Sequence, residues 1–206
     1  MKELELKYYA HSHDGVETIR DLWVAMYDGY NIVDHANILK HEFYYDTGDY
    51  ALRQKGIYAR VDVSKVKVGD SEYEIMVKMG DSESGLFNRE EMIFPDRDAF
   101  DLFVESLGIN SDHVTTRMQV MTYRKSLTLD MGCGIVEMCK DTFYYGKVGE
   151  GMGDTAHYEV EFELKSGDEK ALDIIREMML EYVGDDLRPS EISKAERGFQ
   201  LISKEG

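Results

Sequence analysis

The sequence predicts an α+β protein with an antiparallel sheet, in which about eight strands form a closed barrel and helices pack outside it. Two observations lead to this prediction. Short stretches of alternating apolar and polar residues recur along the chain, and four longer stretches repeat apolar residues every three or four positions. The 206 residues suffice for a core, and no linker or repeat divides them. We therefore expect one domain over residues 1–206.

Eight stretches have the alternation that is typical of strands. They lie at residues 2–9, 40–47, 57–66, 72–80, 88–94, 114–128, 135–141 and 157–164. This number of strands suits a closed barrel.

Helical periodicity is present at residues 15–28, 96–107 and 168–183, and a weaker pattern covers residues 190–203. The second of these helices follows Pro95. The methionines and aromatic residues at helical spacing are expected to form core, not to contact a cofactor.

Composition restricts the location and the partners of the protein. No apolar run approaches the ~18 residues that span a bilayer, and no signal peptide precedes the first strand. We therefore expect no membrane partner. Cys133 and Cys139 form neither a disulfide framework nor a zinc motif, which agrees with a reducing compartment, so we expect a cytoplasmic protein. The net charge of −17 opposes a broad nucleic-acid surface, but it leaves room for a small phosphate ligand bound by a few converging cations.

The two ends of the chain place charged residues on single strand faces. Glu3, Glu5 and Lys7 share one face of the first strand, and the last strand aligns Glu159, Glu161 and Glu163. Rows of carboxylates repel one another, so a cation is expected between them.

Arg60, Lys78, Arg89 and Glu91 lie on central strands that also have an apolar face. If the apolar faces pack outward against helices, the charged faces meet in a polar lumen that could bind metal and anions. In the alternative interpretation every charged face points to solvent. These residues alone favour neither.

Seven short motifs occur in one order along the whole chain. They are Glu3-Leu4-Glu5-Leu6-Lys7; Tyr44-Tyr45-Asp46-Thr47 with Leu52-Arg53, Gly56 and Arg60; Lys78; Arg89-Glu90-Glu91; Val136-Glu137 with Asp141; Glu159 to Gly167; and Ser193-Lys194. This series resembles the CYTH family, also called triphosphate tunnel metalloenzymes, and implies an eight-stranded antiparallel barrel.

The resemblance implies roles for ten residues. The cations would bind phosphate oxygens, with Lys7 also catalytic: Lys7, Arg60, Lys78, Arg89, Arg124 and Lys194. The carboxylates would hold Mg²⁺ or Mn²⁺: Glu3, Glu5, Glu159 and Glu161. A ligand set without Cys or His argues against zinc.

Some positions depart from the family pattern or leave alternatives open. Asp62 occupies the position of a second arginine, where an anion would repel phosphate. Either Arg117 or Arg124 could be the arginine of the long sixth strand, and the distance to the strand ending at Asp141 favours Arg124. Glu163 could bind metal or face solvent, and Lys165 is expected to point outside the barrel.

The leading functional hypothesis is metal-dependent hydrolysis of inorganic triphosphate or of a nucleoside or other organic triphosphate. Inorganic triphosphate ranks first because no aromatic and polar cluster that would recognise a base is identifiable. The alternatives are a class IV adenylate cyclase, a thiamine triphosphatase and a non-catalytic module that binds phosphate compounds or metal. The expected partner is a small-molecule triphosphate, and a homodimer stays open.

Overall fold

A closed barrel of antiparallel strands forms the centre of the protein. The computed structural model describes residues 2–65 and 73–204. The strands are β1 (Lys2–Ala10), β2 (Asn31–Asp46), β3 (Ile57–Asp62), β4 (Ile75–Glu83), β5 (Leu86–Phe94), β6 (Thr115–Asp130), β7 (Gly134–Lys147), β8 (His157–Gly167) and β9 (Leu187–Pro189).

Eight of these strands close on themselves in the order β5-β4-β3-β2-β6-β7-β8-β1, because β1 also pairs with β5. The short β9 adds to the end of β1. Every pairing is antiparallel. The predicted α+β barrel is therefore confirmed.

The boundaries of some strands differ from the prediction. β2 begins at Asn31 instead of residue 40, because its first half is exposed on both faces and so shows no alternation. β7 continues to Lys147, and β3 ends at Asp62, before a 3-10 turn at Val63–Lys65. The sequence also predicts a hairpin connection at Lys65–Asp70, and from residue 66 onward this segment lies outside the described residues.

In the described part of the chain five helices surround the barrel: α1 (His13–Gly29), α2 (Ala51–Gln54), α3 (Arg97–Ser106), α4 (Lys170–Met179) and α5 (Lys194–Lys204). The Ser12 hydroxyl caps α1 by accepting from the backbone of Gly15, and Asp96 caps α3 in the same way at Ala99. No helix in the described part of the chain is both long and apolar enough to cross a bilayer.

The outward face of the barrel supplies most of the hydrophobic core. Leu6 packs with Leu22 of α1 and Ile175 of α4, and α3 buries Phe100 against β3 and β4. Leu6 lies between Glu5 and Lys7 in sequence, so the two charged side chains point inward. Of the two interpretations of the charged faces, the one with a polar lumen is correct.

Helix α5 packs differently, because it covers one end of the barrel. Phe199 contacts Tyr44, Met118 and Tyr145, which point inward from β2, β6 and β7. The Arg53 guanidinium holds the helix by donating to both oxygens of Glu196, at 2.8 and 2.7 Å. This contact fixes the start of α5, where Lys194 enters the barrel.

Candidate active site

The interior of the barrel contains a charged cavity of about 230 Å³. Among the described residues its wall carries eight basic and seven acidic side chains. The basic residues are Lys7, Lys40, Arg60, Lys78, Arg89, Arg124, Lys165 and Lys194, and the acidic residues are Glu3, Glu5, Glu42, Glu91, Glu137, Glu161 and Glu163. All six predicted phosphate-binding cations and three of the four predicted metal ligands lie in this wall.

Glu3 and Glu5 are held by cations of the neighbouring strands. The Arg89 guanidinium donates to both carboxylates, at 3.0 Å from Nε to Glu3 Oε2. The Lys78 ammonium lies 2.6 Å from Glu3 Oε1 and 2.8 Å from Glu91 Oε1. Burial opposes ionisation of Glu3, but Lys78 and Arg89 hold its pKa below the usual range.

Lys7 lies at the centre of the carboxylates. Its Nζ is 2.5 Å from Glu161 Oε1, 3.0 Å from Glu5 Oε2 and 4.0 Å from Glu159 Oε1. Burial alone would lower the pKa of Lys7, but Glu161 and Glu5 raise it well above its usual value. This ammonium is the cation that the two carboxylate rows of the sequence led us to expect.

A second ion-pair cluster connects the barrel to helix α5. Asp141 of β7 accepts two hydrogen bonds from Arg124, at 2.7 and 2.6 Å, and its Oδ2 lies 2.5 Å from Lys194 Nζ. Arg124 also donates to Glu161. Burial opposes the charge on Glu161, yet Arg124 and Lys7 hold its pKa well below the usual range. The carboxylate of Glu161 therefore links both clusters.

Arg60 forms a third contact with β2. Its Nη1 lies 2.7 Å from Glu42 Oε1 and donates to the Tyr44 hydroxyl at 3.2 Å. Arg124 is the arginine of β6 that reaches the cavity, whereas Arg117 lies against the Tyr50 ring, with 5.9 Å between its Cζ and the ring centroid. Asp62 does not belong to the wall; its carboxylate accepts from the backbone and hydroxyl of Ser64.

Glu159 is the one predicted metal ligand that the cavity wall does not include. Its side chain is 0% exposed, and neither carboxylate oxygen has a hydrogen-bond partner among the described residues. Burial raises the pKa of Glu159 to about 8, against the opposite effect of Lys7. Glu159 pairs with Asp141 of β7, which contacts Lys194 of α5, so Glu159 lies towards the end that α5 covers.

The other end of β8 contributes a further group of ion pairs to the wall. Lys165 Nζ is 2.7 Å from Glu163 Oε2 and 2.9 Å from Glu137 Oε2, and all three line the wall. The expectation that Lys165 points outside is wrong, because it lies two residues from Glu163 and shares its face. Glu163 faces the cavity and is paired with Lys165.

Sequence reasoning missed several residues of the wall. Lys40, Glu42 and Tyr44 occupy alternate positions of the predicted strand at residues 40–47, and this spacing was the available signal, but Lys40 and Glu42 belong to none of the seven motifs. Asp141 was noted only as the end of a strand, although it binds both Arg124 and Lys194.

The donor chemistry of the wall fits a hard divalent cation. Glu3, Glu5 and Glu161 supply carboxylate oxygens from adjacent strands, and neither buried oxygen of Glu159 accepts a hydrogen bond from a described residue. In the described residues no three such side chains are gathered into a ready-made metal site. Their oxygens instead bind Lys7, Lys78 and Arg89, so a metal would have to exchange with these ammonium and guanidinium groups.

A barrel whose lumen combines carboxylates with converging cations defines the class of the protein. A family model described as the CYTH domain matches residues 1–199, and the chain belongs to this family. The predicted family membership is confirmed. Among proteins with curated functions, none matches this sequence.

Solved structures with the same fold extend over almost the whole chain. One is a protein of Hippeastrum, proposed as an adenylyl cyclase and described as having a dominant triphosphatase activity. It is 15% identical, with a TM-score of 0.61, and the match covers 98% of this chain and 96% of that one. Another is a proposed adenylate cyclase of Bacillus halodurans, 16% identical with a TM-score of 0.58 and coverages of 96% and 98%.

The RNA triphosphatase domain of a trifunctional mimivirus mRNA capping enzyme is also similar, at 11% identity with a TM-score of 0.50 and coverages of 88% and 87%. At these identities the likeness concerns the fold.

Proposed function

We propose that the protein is a metal-dependent triphosphatase that hydrolyses inorganic triphosphate inside the barrel. The observation that carries this proposal is the convergence of eight basic side chains, from strands all around the barrel and from α5, on one cavity. Phosphoryl transfer needs mainly charge neutralisation and positioning, and such a wall can supply both.

The size of the cavity favours a compact substrate. Its volume of about 230 Å³ lies below the ~300–1,000 Å³ typical of sites for drug-sized ligands. A nucleotide would have to leave its base and sugar outside, whereas a bare triphosphate can be enclosed. We therefore rank inorganic triphosphate above nucleoside and thiamine triphosphates.

The charge balance of the wall supports a requirement for metal. Eight cations against seven carboxylates leave little net positive charge for a substrate that carries roughly four negative charges. Glu3, Glu5 and Glu161, with Glu159 behind them, would hold Mg²⁺ or Mn²⁺. The bound ion would neutralise phosphate charge and lower the pKa of an attacking water.

The cations of the wall would hold and orient the substrate. Arg60, Arg89 and Arg124 can form bidentate contacts with phosphate oxygens, and Lys78 and Lys194 act as point charges. We assign Lys7 to the reacting phosphate, because its ammonium contacts both Glu5 and Glu161 and lies within 4.0 Å of Glu159. These charges are fixed by ion pairs before substrate arrives, which is the preorganisation that stabilises a transition state.

The triphosphatase activity described for the Hippeastrum protein agrees with this choice of reaction. The cyclase reaction is the main alternative, since the Bacillus halodurans protein is designated a proposed adenylate cyclase. We further propose a cytoplasmic protein, in keeping with the free thiols of Cys133 and Cys139.

One incubation separates these reactions. The purified protein is given inorganic triphosphate, thiamine triphosphate or ATP, with Mg²⁺ or Mn²⁺, and orthophosphate, pyrophosphate and cyclic AMP are measured. We expect orthophosphate and pyrophosphate from inorganic triphosphate, and a lower kcat/KM for the organic substrates. Equal amounts of cyclic AMP and pyrophosphate from ATP would establish a cyclase instead. Ligand-dependent thermal stabilisation without any product would indicate a binding module.

A further inference from the structure

Lys40 differs from every other basic residue of the cavity wall. The other seven each have a carboxylate oxygen within 4.0 Å of a charged nitrogen. Among the described residues, Lys40 has neither an ion pair at this distance nor a hydrogen bond from its side chain. It is half-buried and points into the cavity from β2.

The surroundings of Lys40 are positively charged. Arg60, Arg124 and Lys194 lie near it, and Glu42 offsets part of their charge. Glu42 is itself bound to Arg60, at 2.7 Å. Burial, together with Arg124 and Arg60, lowers the pKa of Lys40 to about 8. An anion bound here would gain attraction from several charges at once.

A second unpartnered group lies beside Lys40. Thr122 is directly opposite Lys40 in the β2–β6 pairing, so the two side chains share a face with Cβ atoms about 5 Å apart. Thr122 is 1% exposed, and its Oγ1 has no hydrogen-bond partner among the described residues. A buried hydroxyl without a hydrogen-bond partner destabilises the fold, and an acceptor oxygen of a bound ligand would remove this cost by accepting its hydrogen bond.

Among the described residues, β3 pairs with β2 only as far as Glu42, so no β3 side chain lies directly opposite Lys40. Asp62 lies opposite Glu42, two residues along β2 from Lys40, and its carboxylate is engaged by Ser64 instead of the cavity.

We propose that Lys40 is a substrate-binding residue that, with the Thr122 hydroxyl, holds a phosphate oxygen on the β2–β6 wall, opposite the carboxylates of β1 and β8. This inference rests on the proposed function, because the oxygen belongs to the triphosphate. The subsite recognises a phosphate group and contributes to binding more than to the chemical step, since it lies across the cavity from the acidic residues assigned to metal.

The test compares Lys40→Met with Lys40→Arg, Thr122→Val and the exposed control Lys125→Met. Inorganic triphosphate is the probe; its Kd is measured by calorimetry without divalent cations, and its KM and kcat with Mg²⁺. Lys40→Met should raise Kd and KM at least tenfold and change kcat less than threefold. Lys40→Arg should restore binding to within threefold of wild type, Thr122→Val should weaken it severalfold, and Lys125→Met should have no effect.

The melting temperature establishes that each variant is folded, and Lys40→Met should not lower it, because a charge among like charges is removed. Binding by Lys40→Met within twofold of wild type would overturn the inference while leaving the proposed function intact. A wild-type protein that neither binds nor hydrolyses inorganic triphosphate would overturn the proposed function, and the inference would fall with it.

Discussion

Lys7 and Glu161 lie directly opposite each other in the β1–β8 pairing, and their side chains meet at 2.5 Å inside the barrel. Both are almost completely buried, with 5% and 8% of their side chains exposed. Ion pairs of this kind stabilise a fold only when every charge is matched. The same contact thus holds two strands together and keeps a cation in the cavity.

Removal of Lys7 should therefore affect both stability and turnover. Lys7→Ala leaves Glu5 and Glu161 without their ammonium, and the free energy of unfolding should fall by about 3–5 kcal/mol. Turnover of triphosphate should fall by about a hundredfold or more, on the order of 3 kcal/mol. Urea denaturation and initial rates measure the two effects. Lys7→Arg should recover stability but only part of the rate, and wild-type behaviour of Lys7→Ala would contradict the assignment.

The carboxylate Glu5 provides a test of metal binding. Glu5→Gln keeps the size and an acceptor oxygen but removes the charge that a divalent ion requires. Turnover with Mg²⁺ should fall at least about a hundredfold, and Mn²⁺ should raise the melting temperature of wild type more than that of the variant. Glu90→Gln, on the exposed face of β5, is the matched control. Full activity of Glu5→Gln with Mg²⁺ present would refute the metal assignment.

The pKa of Lys40 predicts a pH effect. Lys40 is charged below about pH 8 and neutral above it, so kcat/KM for triphosphate should fall as the pH rises through this value. The charged groups that face it are Arg124 from β6, Arg60 from β3, Lys194 from α5 and Glu42 from its own strand. Lys40→Arg stays charged and should lose this fall. Identical pH profiles for the two proteins would show that Lys40 is not responsible.

The contact between Arg53 and Glu196 should position Lys194. Arg53→Ala removes a partly buried bidentate pair, which should lower the free energy of unfolding by about 1–3 kcal/mol and raise KM because the start of α5 loosens. Denaturation and steady-state kinetics test this. Arg20→Ala, which removes an exposed ion pair with Glu17, should change stability by at most about 1 kcal/mol. An unchanged KM in Arg53→Ala would show that the contact between Arg53 and Glu196 does not position Lys194.

Much of the site could be predicted because alternation determines which face of a strand a residue occupies. Alternation placed Glu3, Glu5 and Lys7 on one face of β1 and Leu6 on the other, and the family resemblance implied that the charged face points into the barrel. Alternation does not show how far along the barrel axis a side chain lies. Glu159 and Glu161 share a face, yet only Glu161 reaches the cavity, because Glu159 lies towards the end covered by α5.

Lys40 could not be predicted for a different reason. It begins the predicted strand at residues 40–47, but it belongs to none of the seven motifs, and alternation along one strand does not show that Thr122 of β6 lies opposite it. Its place in the site follows from the barrel closing around it.

The central claim, that triphosphate is hydrolysed inside the barrel, is tested most directly by two adjacent residues of β6. Arg124 points into the cavity and Lys125 points to solvent, so the two substitutions to alanine remove one positive charge each from neighbouring positions. We predict that kcat/KM for inorganic triphosphate falls about a hundredfold or more in Arg124→Ala and stays within about twofold of wild type in Lys125→Ala. Equal, small effects of both substitutions in folded proteins would contradict the account.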